Sequence, residues 1–141
     1  EIAMGSGLLK PSDFDTATLD DHIPAAFIAT PVLKRLPGTR LPSLESLSGL
    51  FEAWDPNTAQ TFFIYGGHWL ADPVSPHGLQ RNAIWGHSTN QDMLNGSDAV
   101  ELDVGDHLFL RPHQSEAVLL QFGDLALYDQ GEIIATWPVF S

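Results

Sequence analysis

The stretch LRPHQSEAVLLQFGDLALYDQGEIIATWPVF (Leu110–Phe140) decides the fold class. It holds three apolar runs separated by turn residues. EAVLLQFG, LALYDQG and EIIATWPVF each have strand length and strand composition. Asp129-Gln130-Gly131 sits between the last two as a two-strand turn, so they are expected to form a hairpin. Ahead of the first run lies a polar knot, Pro112-His113-Gln114-Ser115-Glu116, which is either a turn or a site.

Outward from this stretch, the pattern stays β. AVELDVGDHLFLRP predicts two strands meeting near Val104-Gly105-Asp106, and TFFIYGG predicts a strand ending at Gly66-Gly67. LQRNAIWGH alternates loosely, and AAFIATPVLKRL predicts a buried strand that Pro31 bends or confines to an edge. One segment differs. In SLESLSGLFEAW, Leu44, Leu47, Leu50, Phe51 and Trp54 recur at helical spacing, with Ser43 as N-cap and Asp55-Pro56 as the stop. TATLDDHI predicts a short helix before Pro24. EIAMGSGLLKPSDF reads as a short strand, a Gly-Ser-Gly loop and a polar exit. Strands at intervals of about ten residues, with no helices between most of them, predict a mainly β fold. The expected architecture is a small antiparallel barrel or sandwich with one or two short helices.

The 141 residues suffice for a domain with its own core. Eighteen acids against six bases give a net charge of −12, and this field disfavours nucleic acid and anionic membrane as partners. The absence of cysteine excludes disulfides and thiolate zinc sites, and it fits a reducing compartment such as the cytoplasm. No apolar run reaches the length of a membrane helix. EIAMGSGLL begins in mid-pattern, like the tail of a buried strand, and the chain is therefore expected to be part of a longer polypeptide.

Several residues are candidates for chemistry. Gly5-Ser6-Gly7 follows an apolar stretch. Its backbone N–H groups suit a phosphate, and the same residues suit an ordinary tight turn. The six histidines, His22, His68, His77, His87, His107 and His113, fall in no metal-ligand spacing. His107 and His113 are expected near each other on neighbouring strands, with Asp106 and Glu116 close by. STNQDML (Ser88–Leu94) reads as a second polar knot between two β regions, and the two knots are expected to face one cavity.

Three segments, EIAMGSGLL, the Gly-Gly pair followed by STNQDML, and VGDHLFLRPHQSEAVLLQFGDLALYDQGEIIATWPVF, occur in an order that resembles the C-terminal region of D-serine dehydratase-like and D-threonine aldolase-like enzymes. These are pyridoxal-phosphate proteins of the alanine-racemase fold type. Among them, the chain is most similar to the subgroup called amino acid deaminases or D-serine deaminase-like proteins. The resemblance implies that residues 1–23 are the end of a TIM-type barrel, its last strand and phosphate loop. Residues 24–141 would form the C-terminal β domain, with a helix near 43–54. Gly5, Ser6 and Gly7 would then bind the cofactor phosphate. Gln114 and Glu116 would be catalytic, and Asn90, Gln91 and His113 would line the substrate site.

The family's Schiff-base lysine lies in a barrel that this chain lacks, and neither Lys10 nor Lys34 matches it. The chain alone is therefore expected to be inactive, with the barrel portion and a second protomer as partners. Zinc-dependent relatives use a His-x-Cys pair in the polar knot. Here Gln114 and Glu116 occupy those places, and Asn90, Gln91 and Asp92 replace an earlier Glu-His-Gly. These are hard ligands, fit for magnesium, calcium or manganese, or for no metal, rather than zinc, and no residue is assigned to a metal. The implied reaction turns a D-serine-like substrate into a keto acid and ammonia, with Glu116 assisting the leaving hydroxyl by proton donation or Gln114 by hydrogen bonding. The alternative is a stand-alone β module that binds a small ligand or a partner protein without catalysis.

Overall fold

The structure, a computed structural model, describes residues 5–38, 56–83, 85 and 87–139. The predicted helix at 43–54 and the start of the predicted first strand fall outside these residues. The described chain is mainly β, with antiparallel sheets and few helices. It divides into two compact units, residues 27–111, and residues 1–26 together with 112–141.

The unit of residues 27–111 contains two sheets. In the three-stranded sheet, β1 (Ile28–Pro31) and β4 (Ala71–Ser75) flank β7 (His107–Pro112). The four-stranded sheet runs in the order β2 (Lys34–Pro37), β3 (Gln60–Tyr65), β6 (Gln91–Gly96), β5 (Gln80–Arg81). Pro31 acts as its chemistry predicts. It closes edge strand β1, where no N–H is needed. Val32 then donates to the Asp106 carbonyl on the β7 side and Leu33 donates to Phe63 of β3, so the chain changes sheets at that corner.

Phe62, Ile64 and Leu94 share one face of β3 and β6 and are fully buried, and Ile28, Val32, Leu108 and Leu110 are among the other buried apolar side chains of this unit. The opposite face carries a buried amide ladder. Asn82 Nδ2 donates to Asn95 Oδ1 at 2.7 Å, and Asn95 Nδ2 donates to the Gln60 carbonyl and to Thr61 Oγ1, each at 3.2 Å. Buried amides this well paired fix register, because a one-residue slip of β6 would orphan every one of them.

Four expectations are corrected here. Ser88–Leu94 is not wholly a loop, because Gln91–Leu94 belongs to β6, the strand between β3 and β5. Residues 99–103 form no strand, although Val100 and Leu102 are buried. The Val100 N–H closes a turn on Ser97, and Gly105, at φ +97°, turns the chain into β7. Among the described residues of LQRNAIWGH, only the two of β5 are in a strand. Finally, EAVLLQFG is not a strand. Ser115–Leu119 forms a short helix, α1. An Ala-Val-Leu-Leu run fits either period, and Gln114 in extended conformation followed by Ser115 and Glu116 is a helix start.

The second unit gathers the chain's two ends. Single 3-10 turns occupy Ser6–Leu9, Ser12–Phe14 and Ala17–Leu19. The buried Lys10 ties the segment together by donating from Nζ to the His22 carbonyl at 2.8 Å. The hairpin of β8 (Leu125–Asp129) and β9 (Glu132–Trp137) forms as expected. Gln130 and Gly131 both take positive φ, +47° and +98°, the pair a type I′ turn demands. The register shifts between Leu127 and Tyr128, where Ile134 is the extra, unpaired residue of β9. Tyr128, Ile133, Ile134 and Trp137 of this hairpin are 60–70% exposed.

Candidate functional site

The two segments singled out at opposite ends of the sequence meet in the second unit. The Ser115 N–H donates to Ser6 Oγ at 2.9 Å, across 109 positions of sequence. Gln114 Nε2 donates to Asp13 Oδ2 at 3.1 Å, and the Asp13 N–H donates to the His113 carbonyl at 3.2 Å. The polar knot is thus laced to the Gly5–Phe14 segment through both backbone and side chains. Of the predicted site residues, Gly5, Ser6, Gly7, His113, Gln114 and Glu116 are brought together. Asn90 and Gln91 belong to the other unit, Gln91 opening β6 opposite Tyr65. His107 and His113 are not on neighbouring strands, because His107 opens β7 and His113 follows its last residue.

Asp13, which holds Gln114, is not among the residues singled out from the sequence, and Ser115 is named there only as a member of the polar knot. The Ser115 side chain is buried, and its Oγ lacks a hydrogen-bond partner among the described residues. Such an orphaned hydroxyl is uncommon in a folded protein.

The Glu116 carboxyl is held below its ordinary pKa. Its own backbone N–H is the largest cause, followed by the Ser6 hydroxyl; burial opposes them, and the Ser6 N–H adds to the lowering. Proton donation by Glu116 at neutral pH, expected from the sequence, is disfavoured by this surrounding. The group is a carboxylate there and an acceptor. Ser6→Ala should raise the Glu116 midpoint toward the ordinary carboxyl value, as followed by NMR titration. Because the folded-state pKa is depressed, the contact stabilises above the unfolded-state pKa. That contribution is lost as pH falls through the folded-state value, and the S6A chain should show less of this acid dependence.

The donors around Ser6 suit an anionic oxygen ligand such as a cofactor phosphate. The Ser6 hydroxyl and N–H already favour a carboxylate, the Ser115 hydroxyl is unused, and a side chain built at Gly5 would meet nothing within 4 Å. The carbonyl end of such a cofactor has no counterpart, since Lys10 is committed to His22 and Lys34 lies 5.7 Å from the Phe63 ring centre. Among the described residues no three His, Asp or Glu side chains are grouped to hold a metal ion, and no helix is long and apolar enough to cross a membrane.

The other unit holds a charged cluster that the sequence did not announce. Asp92 is fully buried on the core face of β6. Its Oδ2 lies 2.8 Å from Arg81 Nη1, and its Oδ1 accepts the Ser88 N–H at 2.8 Å. His87 Nδ1 stands 3.5 Å from Oδ2, and the His68 and His87 rings stack at 6.2 Å. Gly66 makes the close approach possible, since a Cβ there would fall 2.4 Å from the Ser88 carbonyl oxygen. No protein-family model, curated protein or solved structure matches the chain.

Proposed function

We propose that this chain is the C-terminal part of a pyridoxal-phosphate-dependent D-amino acid deaminase that converts a D-serine-like substrate to a keto acid and ammonia. The supporting observation is the bond between Ser115 N–H and Ser6 Oγ, which joins two of the three segments that carry the family resemblance. On this reading the Gly5-Ser6-Gly7 turn and the Ser115 hydroxyl hold the phosphate, with Glu116 moving aside, because two anions cannot share those donors. The lysine that anchors the cofactor comes from a barrel outside these residues. When bound, the cofactor supplies the electron sink for loss of the substrate's α-proton. Glu116 then acts as a carboxylate, accepting a proton or a hydrogen bond from the substrate. Gln114, held by Asp13, donates to the departing hydroxyl, while His113 lines the substrate site. No metal role is assigned.

The exposed apolar side chains of the β8–β9 hairpin support this reading over a stand-alone binding module. Four large apolar side chains left open on the hairpin suit a chain that meets the barrel portion or a second protomer. The alanine-racemase type of β domain and a cytoplasmic location belong to the same proposal. The test is turnover by the assembled enzyme. D-serine should give keto acid and ammonia, and Glu116→Gln should depress turnover strongly while the cofactor's visible absorbance stays in place. An E116Q enzyme that turns over normally would remove Glu116 from the mechanism, and no ammonia from any D-amino acid would remove the function.

A further inference from the structure

We propose that His68 and His87 form a two-imidazole site for a divalent transition-metal ion of the zinc, copper and nickel class. This site lies in the unit of residues 27–111 and does not depend on the cofactor reading. The two rings stack with centroids 6.2 Å apart and planes 29° apart, and both side chains are exposed. Each imidazole can therefore turn about its side-chain bonds to bring a nitrogen to a shared ion. Imidazole nitrogen selects zinc, copper and nickel over magnesium and calcium.

The surroundings are arranged as second-shell groups are around metal-bound histidines. His87 Nδ1 faces Asp92 Oδ2 at 3.5 Å, so the carboxylate favours the proton on Nδ1 and leaves the Nε2 lone pair for a ligand. Asp92 is itself fixed by Arg81 and by the Ser88 N–H. The guanidinium occupies the carboxylate, which makes Asp92 an orienting group rather than a ligand. His68 adds an independent sign. It sits at φ +52°, in the left-handed region, directly after two glycines. A bulky side chain held where glycine would cost least is a feature that collects at binding sites. Two protein ligands leave the remaining coordination positions to water or to a small-molecule ligand.

The test is a titration of the purified chain with Cu2+, read by the visible band of the ion and by nitrogen hyperfine coupling in its electron spin resonance. The variants are His68→Asn, which tolerates the left-handed backbone, and His87→Gln. The intact chain should bind one ion through two nitrogens. Each variant should weaken binding by about tenfold or more, the scale of losing a supporting group at a metal site. Circular dichroism should show both variants folded. Unchanged affinity in the double variant would assign the ion to the other histidines and overturn the proposal, as would a spectrum lacking nitrogen coupling.

Discussion

Replacing Asp92 by alanine should cost about 3–5 kcal/mol of folding stability, the scale of breaking a buried ion pair from one side. Asp92 has no exposed surface, and Arg81 stands 2.8 Å away with its side chain 19% exposed. Without the carboxylate the guanidinium stays in place with a full charge. Arg81 Nη2 would still donate to the carbonyls of Trp69 and Ala71, and Asp72 would remain 4.0 Å from Nε. Those contacts place the expected loss toward the lower end of the range. The Ser88 N–H would lose its acceptor, and the turn carrying His87 to Asn90 would loosen. Urea denaturation should show a lower midpoint at unchanged slope. The double variant Asp92→Leu with Arg81→Met removes both charges together and should recover most of the loss. A D92A chain within 1 kcal/mol of the intact protein would mean that water reaches Arg81 and that the pair is not truly dry.

Asp92 also shows where the sequence stops being legible. STNQDML reads as a loop because its polar residues outnumber its apolar ones. Yet Asp92, and Asn95 just after it, are buried side chains, each satisfied by a specific partner at Arg81 or Asn82, outside the β6 strand. Periodicity counts apolar residues and is blind to a buried charge whose partner lies on another strand. The opposite failure occurs at Ala117–Leu120, where an apolar run suits helix and strand equally and only Gln114-Ser115-Glu116 in front of it tips the balance. Turn chemistry was read correctly where it depends on single residues. Gln130-Gly131 makes the expected hairpin and Pro31 ends an edge strand, since these effects need no tertiary partner. The candidate site was legible as two segments. Their meeting through Ser6 and Ser115 was not, because a hydroxyl–amide contact across 109 positions leaves no local pattern.

The second large effect is expected at Phe62. Its ring is fully buried on β3 and opposes Leu94 of β6, also fully buried. Gly96 keeps space for it, since a Cβ there would come 3.3 Å from Phe62 Cε2 and 3.0 Å from Val100 Cγ2. Phe62→Ala removes the ring from between Leu94, Gly96 and Val100 and should cost about 3–5 kcal/mol, transfer and cavity together. Collapse into the gap is limited because the same two strands carry the amide ladder on their other face. A shift of either strand into the gap would strain the bonds of Asn95 to Asn82 and Thr61. Phe62→Leu leaves a smaller void and should cost less than half as much. Thermal unfolding followed by near-ultraviolet circular dichroism checks both. If F62A and F62L lose equal stability, polar pairing rather than ring packing holds the four-stranded sheet, and Asn95 becomes the residue on which this unit stands.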